Sequence, residues 1–396
     1  MHTRNSPRYR GGTEPVRSRT RGRGLGRALI IACSFAVSAA GAAAQNPPPG
    51  QGRRQEPRVP TTEPGIHDPV MARQGDTWYV FGTGNGITVW SSKDMKTWNP
   101  EPSVFATPPA WGTGIAQGFR GSLWAPDIYL HNGRWYIYYS ISAFGRNTSA
   151  IGVASTPTLD RNAPGFGWTD HGMVVQSVPG RDMWNAIDPQ VTHDAAGKPW
   201  LVFGSFWGGI KLTRLNDDLT QLAQPQEWHT VAARERYWRL DERDAGDAAN
   251  PELNYDSTFR RNVITSTTRN MLNSSIEGAF MFRKGDYYYL FASWDRCCSG
   301  VESTYKVVVG RSKEITGPYI DREGQRMDHG GGSMVIADLL TSPRWAAGGH
   351  NSAYTFDGKD YLVFHAYDKT DNGRSKLVIR EIEWDAAAWP IVWLRQ

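Results

Sequence analysis

Three carboxylates stand in short turns of similar build: Asp68 in Gly65-Ile-His-Asp-Pro69, Asp188 in Asn185-Ala-Ile-Asp-Pro189 and Glu277 in Ser275-Ile-Glu-Gly278. Each turn comes just before an apolar run, so each carboxylate would sit where a strand begins. Aspartate–proline steps make turns on their own account, but three acids at one register invite a shared use. Two carboxyl groups flanking a scissile bond can divide the work of acid and base, as cleavage of a glycosidic bond requires. A third nearby has a physical role too, because its negative charge opposes ionisation of the acid and keeps the proton in place.

The elements that must position these groups repeat along the chain. Five aromatic strands share one design: Trp78-Tyr-Val-Phe-Gly-Thr83, Trp135-Tyr-Ile-Tyr-Tyr-Ser140, Trp200-Leu-Val-Phe-Gly-Ser205, Tyr288-Tyr-Leu-Phe-Ala-Ser293 and Tyr361-Leu-Val-Phe-His-Ala366. A turn bearing an acid or a histidine precedes each, with Asp68, Asp127, Asp188, Glu277 and His350 spaced 59, 61, 89 and 73 residues apart. A further apolar segment follows each aromatic strand, as in Gly86-Ile-Thr-Val-Trp90 and Lys306-Val-Val-Val-Gly310. A repeat of this length, rich in strands and aromatics, predicts an all-β, five-bladed β-propeller over residues 61–396. The first strand of every blade would line a central channel where the marked residues converge. A β-sandwich whose strands share composition is the alternative.

Residues 1–44 read as a secretory signal peptide: a basic start, an apolar stretch from Ala28 to Ala40, and Ala42-Ala43-Ala44 as the cleavage region. Residues 45–60 read as a flexible linker. Eight arginines against the single acid Glu14 give the leader +7, so a chain of net +5 leaves a mature protein of −2. The basic balance is thus an export signal, and no nucleic-acid partner is expected. The apolar stretch is too short to span a bilayer. The expected location is secreted or periplasmic, after cleavage near Ala44. With Cys33 in the leader, the adjacent pair Cys297-Cys298 remains, either as a vicinal disulfide or as two buried thiols.

The chain resembles the inverting glycoside hydrolases of family 43, in particular the endo-α-1,5-L-arabinanases. The likeness covers nearly all of residues 64–384. It is carried by His67-Asp68-Pro69, Leu123-Trp-Ala-Pro-Asp127, Asn185-Ala-Ile-Asp-Pro189, Ile276-Glu277, Cys297-Cys-Ser-Gly-Val-Glu-Ser-Thr-Tyr305, Ile315-Thr-Gly-Pro-Tyr319 and Gly348-Gly-His350. It implies that Asp68 is the general base, Glu277 the general acid and Asp188 the residue that raises the acid's pKa. Inversion requires the base and acid roughly 6.5–9.5 Å apart. Glu277-Gly278-Ala279 departs from the commoner Glu-Ala-Pro, and a glycine there is expected to loosen the backbone. The resemblance also implies that His350 contacts a calcium ion on the axis, through a shell made mostly of water. A histidine bonded into the catalytic water network is the alternative.

A sugar chain would be gripped by rings and by polar groups beside them. Phe144, Asn185, Ala186, Ile187, Ser205, Phe206 and Trp207 match substrate-contacting positions of related arabinanases, and Trp111, Trp124 and Trp184 are further candidates. Trp78, Trp135 and Trp200 read as packing between blades, and His193, His365 and Asp127 as structural. An insertion, roughly Gln226 to Asn270, could wall the substrate groove. The expected protein is a monomeric, secreted, endo-acting enzyme that cleaves internal α-1,5-L-arabinofuranosidic linkages of arabinan, a polysaccharide substrate. An exo-acting α-L-arabinofuranosidase or β-xylosidase and a non-catalytic sugar-binding propeller are the alternatives.

Overall fold

A computed structural model of the chain describes residues 58–116, 118–234 and 275–395. The leader, most of the linker and residues 235–270 of the expected insertion lie outside the described residues.

The five aromatic strands each become the second strand of an antiparallel sheet. Blade 1 runs Val70–Gln74, Thr77–Gly82, Thr88–Ser92 and Asn99–Glu101. Blade 2 runs Ser122–His131, Arg134–Ile141, Ser149–Thr156 and Thr169–Ser177. Blade 3 runs Gln190–His193, Pro199–Phe203, Ile210–Arg214 and Trp228–Ala232. Blade 4 runs Ile276–Lys284, Tyr287–Trp294, Lys306–Ser312 and Ser333–Met334, and blade 5 runs Trp345–Phe356, Lys359–Asp368 and Arg374–Glu381. The first strands touch one another in cyclic order, blade 5 returning to blade 1, so they form the inner wall of a closed ring. A five-bladed propeller is the result, as the repeat predicts.

Strand alternation explains how the ring is glued. In Arg134–Ile141, side chains 135, 137, 139 and 141 pack toward blade 1, while Tyr136 and Tyr138 pack toward blade 3. Both faces are buried, hence the continuous aromatic run. Each of the five interblade seams holds its own apolar cluster, and each large side chain withdrawn from water contributes about 1.5–3 kcal/mol. Trp135 and Trp200 are buried there as expected, whereas Trp78 is half-buried beneath the Arg73 guanidinium. The ring closes where Gly65 bridges Lys376, so the segment entering blade 1 borders the outer strand of blade 5.

The start of the insertion needs correction. Residues 228–232 are the outer strand of blade 3, and the Trp228 ring packs 5.2 Å from Trp184. Charge and irregular patterning masked that strand, because an outer strand has one wet face. Among the described residues no helix is long and apolar enough to cross a membrane.

Candidate active site

Every blade has one residue in left-handed backbone, just before its inner strand in blades 1 and 3 and within it in blades 2, 4 and 5: Asp68 (φ 53°), Ala125 (41°), Asp188 (59°), Gly278 (57°) and His350 (49°). In blades 2, 4 and 5 the strand pairing slips across this residue, between Trp124 and Asp127, Glu277 and Phe280, and Gly349 and Ser352. Such bulges re-aim side chains at strand ends. They also correct the register expected from the sequence. Ala125, not Asp127, is blade 2's counterpart of Asp68, and Glu277 stands one residue before the slot that Gly278 fills. The glycine therefore meets a shape requirement rather than loosening the chain. A Cβ at 278 would come within 3.0 Å of His350 Cγ.

The left-handed turns of blades 1 and 3 and the bulges of blades 4 and 5 bring Asp68, Asp188, Glu277 and His350 into electrostatic reach of one another. Thr83 donates its hydroxyl proton to Asp68 Oδ2 at 2.5 Å, and His350 Nδ1 lies 3.2 Å from Asp68 Oδ1. Ser205 donates to Glu277 Oε2 at 2.8 Å, and the Gly278 N–H donates to Asp188 Oδ2 at 3.3 Å. Burial opposes charge on Asp68, but the attraction of His350 and the Thr83 hydrogen bond act against it, and the carboxyl is held at about 2. The opposite happens across the axis. Burial, joined by the charges of Glu277 and Asp68, lifts Asp188 to about 8. Burial also raises Glu277, with Asp68 adding to it. Asp68 thus favours its ionised form while burial and mutual repulsion hold back ionisation of Asp188 and Glu277, the kind of division that acid–base chemistry uses.

Glycosyl hydrolases family 43 matches residues 57–390. The chain belongs to this family. It is 51% identical over 327 residues to the extracellular exo-α-(1→5)-L-arabinofuranosidase of Cellvibrio japonicus, covering 83% of this chain and 86% of that one. It is 38% identical to the extracellular endo-α-(1→5)-L-arabinanase 1 of Bacillus subtilis, covering 82% and 87%. Among solved structures, an α-L-arabinanase of Cellvibrio cellulosa complexed with arabinohexaose shares 50% identity at a TM-score of 0.73, covering 83% of this chain and 96% of that one.

In this family 43 chain the expected sugar contacts separate into two groups. Phe144 is 80% exposed and its ring lies 5.0 Å from Trp124, an aromatic platform open to solvent. Phe206 and Trp207 are half-buried on two consecutive left-handed residues (φ 57° and 42°), a costly backbone of the kind found where rings must be presented. Asn185 is buried, and its Oδ1 has no protein partner among the described residues. Ala186 and Ile187 are buried with inward-directed main-chain bonds, the Ala186 N–H reaching Ser177 and the Ile187 carbonyl taking the N–H of Gly204. Ser205 is buried against Glu277. Trp184, a candidate platform, is fully buried between Phe203 and Trp228 and belongs to the core. Trp111 donates its indole N–H to Asp170.

Three residues near the site were not singled out from the sequence. Thr83 holds Asp68 as described. Tyr305 is buried with its hydroxyl beside Glu277, and its ring fits because position 349 is glycine, where a Cβ would come 2.4 Å from Tyr305 Cδ1. Tyr367 accepts the N–H of Cys298 at 2.7 Å, and Cys297 and Cys298 form the vicinal disulfide. A signal for Thr83 was available in the strand motifs, four of which end in Thr or Ser.

His67, Asp68 and His365 bring one ligand atom each within 4.8 Å of one another. Both nitrogens of His365 are already committed, to the Asp68 N–H and to the Tyr367 hydroxyl, so this trio is a hydrogen-bond cluster. His350 is the imidazole left for an axial cation. With Nδ1 donating to Asp68, the neutral ring offers its Nε2 lone pair, and the carboxylates around it would balance the charge of a bound cation. A calcium ion fits that setting if water supplies most of its oxygen ligands.

Proposed function

We propose that the protein is an exported inverting hydrolase of α-1,5-linked arabinan. The observation that carries this is the meeting of Asp68, Asp188 and Glu277 at the ring's axis, with Asp68 held by Thr83, Glu277 by Ser205 and Asp188 by the Gly278 N–H. Asp68 takes a proton from the water that attacks the anomeric carbon of an arabinofuranosyl residue. Glu277 gives its proton to the departing glycosidic oxygen, and the configuration inverts. Asp188, anchored by the Gly278 N–H, resists carrying negative charge together with Glu277, so the last proton of the pair is held strongly and reaches the leaving oxygen through Glu277. Ser205 fixes the acid's carboxyl, and Thr83 fixes the base's. Calcium, held by His350, would supply positive charge to an axial water network. Phe144, Trp124, Phe206 and Trp207 offer ring faces to the sugars, and Asn185 Oδ1 a hydroxyl acceptor.

Terminal attack is the leading mode, supported by the 51% identity to a Cellvibrio japonicus protein described as exo-acting. Internal cleavage, the mode expected from the sequence, is the second reading and is supported by the 38% identity to an endo-arabinanase of Bacillus subtilis. Export rests on the leader pattern and on the extracellular description of both relatives.

The product profile of mature protein on linear α-1,5-arabinan, with Glu277→Gln as control, tests this. Short products or arabinose of inverted configuration by proton NMR are expected, and the control should be slowed on the order of 10²–10⁴-fold. Arabinose from the first minutes assigns terminal attack, and a ladder of oligosaccharides assigns internal cleavage. Retained configuration, or no products, overturns the proposal.

A further inference from the structure

Four of the five aromatic strands end in a hydroxyl that serves the next blade. The Thr83 oxygen accepts the N–H of Ala125 at 2.8 Å, Ser140 that of Asp188 at 3.0 Å, and Ser293 that of His350 at 2.7 Å. Ser205 reaches across the same seam to the Glu277 carboxylate. Three of the left-handed residues, Ala125, Asp188 and His350, are thereby pinned by their own N–H groups, a useful restraint because this backbone region is uphill for any residue with a Cβ.

The fifth strand ends differently. It reads His365-Ala366, with no hydroxyl, and the residue it must pin is Asp68. Here the N–H of Asp68 is accepted by His365 Nδ1 at 3.1 Å. An Nδ1 that accepts carries no proton, so the ring is protonated at Nε2, which lies 3.2 Å from the Tyr367 oxygen. Tyr367 is in turn held by the N–H of Cys298 in the disulfide turn. The imidazole is 1% exposed, with the rings of His67, Tyr367 and Tyr305 at 4.4, 5.2 and 5.8 Å. It has no freedom to turn.

We propose that His365 is a positioning residue for Asp68, and that turnover depends on its Nδ1 as a fixed acceptor for the Asp68 N–H. The proposal rests on the reading of Asp68 as the base. A serine hydroxyl at this seam could rotate and donate its proton to the carboxylate. His365 Nδ1, 3.7 Å from Asp68 Oδ1, can only accept. That oxygen is then left to His350 and to the water the base must deprotonate. The fifth blade thus departs from the repeat at the one seam where a competing donor would occupy the base.

Two variants separate this role from general packing. In His365→Asn the side-chain oxygen takes the place of Nδ1, while in His365→Gln the amide reaches toward the Nε2 position and the Nδ1 acceptor is lost. Both are assayed on linear arabinan alongside wild type, with thermal midpoints and circular dichroism recorded for each. We expect His365→Gln to lose kcat by on the order of 10²-fold with KM within about twofold, and His365→Asn to recover kcat to within about tenfold of wild type. Equal losses in the two variants, or a change confined to KM, overturn the proposal. Nitrogen NMR of histidine-labelled wild type at neutral pH gives a second reading that needs neither variant nor substrate. A ring protonated at Nε2 alone supports the assignment, and one protonated at Nδ1 overturns it whatever the turnover. Wild-type protein inert on arabinan sinks the functional reading and the proposal with it, an outcome distinct from active wild type with two equally poor variants.

Discussion

Blades 1 and 2 start their inner strands in the same way and do different things. Asp68-Pro69 and Ala125-Pro126 place their first residue in the same left-handed region, and both pass its N–H to the preceding blade, through His365 in one case and Thr83 in the other. One turn carries a carboxylate lowered to about 2, and the other carries a methyl group. The turn geometry is therefore a property of the repeat, required to start an inner strand at a blade seam. The chemistry is a property of the side chain placed on it. Blades 3 and 5 use the same slot for Asp188 and His350, and blade 4 leaves it to Gly278 and sends Glu277 in from the residue before.

The strongest way to break the comparison is to make blade 1 resemble blade 2. Asp68→Ala should keep the turn, since Ala125 already adopts it, and lose kcat by about 10²–10⁴-fold, the usual span for a general base. Steady-state rates on arabino-oligosaccharides, with the thermal midpoint as control, check this. A matching collapse of the midpoint would mean that the carboxylate is structural.

A smaller effect is expected from filling the slot that blade 4 leaves empty. Gly278→Ala puts a Cβ about where His350 Cγ stands 3.0 Å away. The left-handed backbone alone should cost about 1–2 kcal/mol in a denaturant titration. Displacement of His350 should lower kcat by about tenfold, as small misplacements in an active site do. Unchanged kcat would separate Gly278 from the chemistry.

A third effect, on stability alone and not on turnover, concerns blade 2's own acid. Asp127 is buried, accepts the Val191 N–H at 2.8 Å, and is lifted by burial to about 8. Folded protein therefore holds a proton there that the unfolded chain releases above about pH 4. Stability is full below that pH and falls as pH rises toward 8. Asp127→Asn keeps an acceptor for Val191 and should flatten the fall by up to about 1.4 kcal/mol per pH unit. Denaturation midpoints of both proteins at about pH 5 and about pH 8 read the difference directly. Parallel slopes would mean that Asp127 is ionised in the fold.

Much of this was legible beforehand. The aromatic strands, their order and the closure into five blades follow from a repeat with both strand faces apolar. Asp68, Asp188, Glu277 and His350 stand out because polar residues precede those strands at one register. The bulge was not legible: acids seen in sequence drew Asp127 into the register and hid Ala125, because spacing alone does not reveal which residue a ladder skips. The outer strand Trp228–Ala232 reads as insertion in the sequence for a similar reason, since one wet face dilutes the pattern. His365 read as a structural histidine, because nothing in a linear motif says that an imidazole stands where four other strands carry a hydroxyl.

By itself the sequence determined the set of strands, the ring they must close and the carboxylates that would meet on its axis, because period-2 burial and strand-start turns are local properties. Only the tertiary structure decided which residue fills each bulge, which N–H each neighbouring blade receives, and which carboxyls stand close enough to shift one another's ionisation. Those depend on contacts between residues as distant as Asp68 and His365. Burial and neighbouring charge act through space, and the order of residues along the chain does not record them.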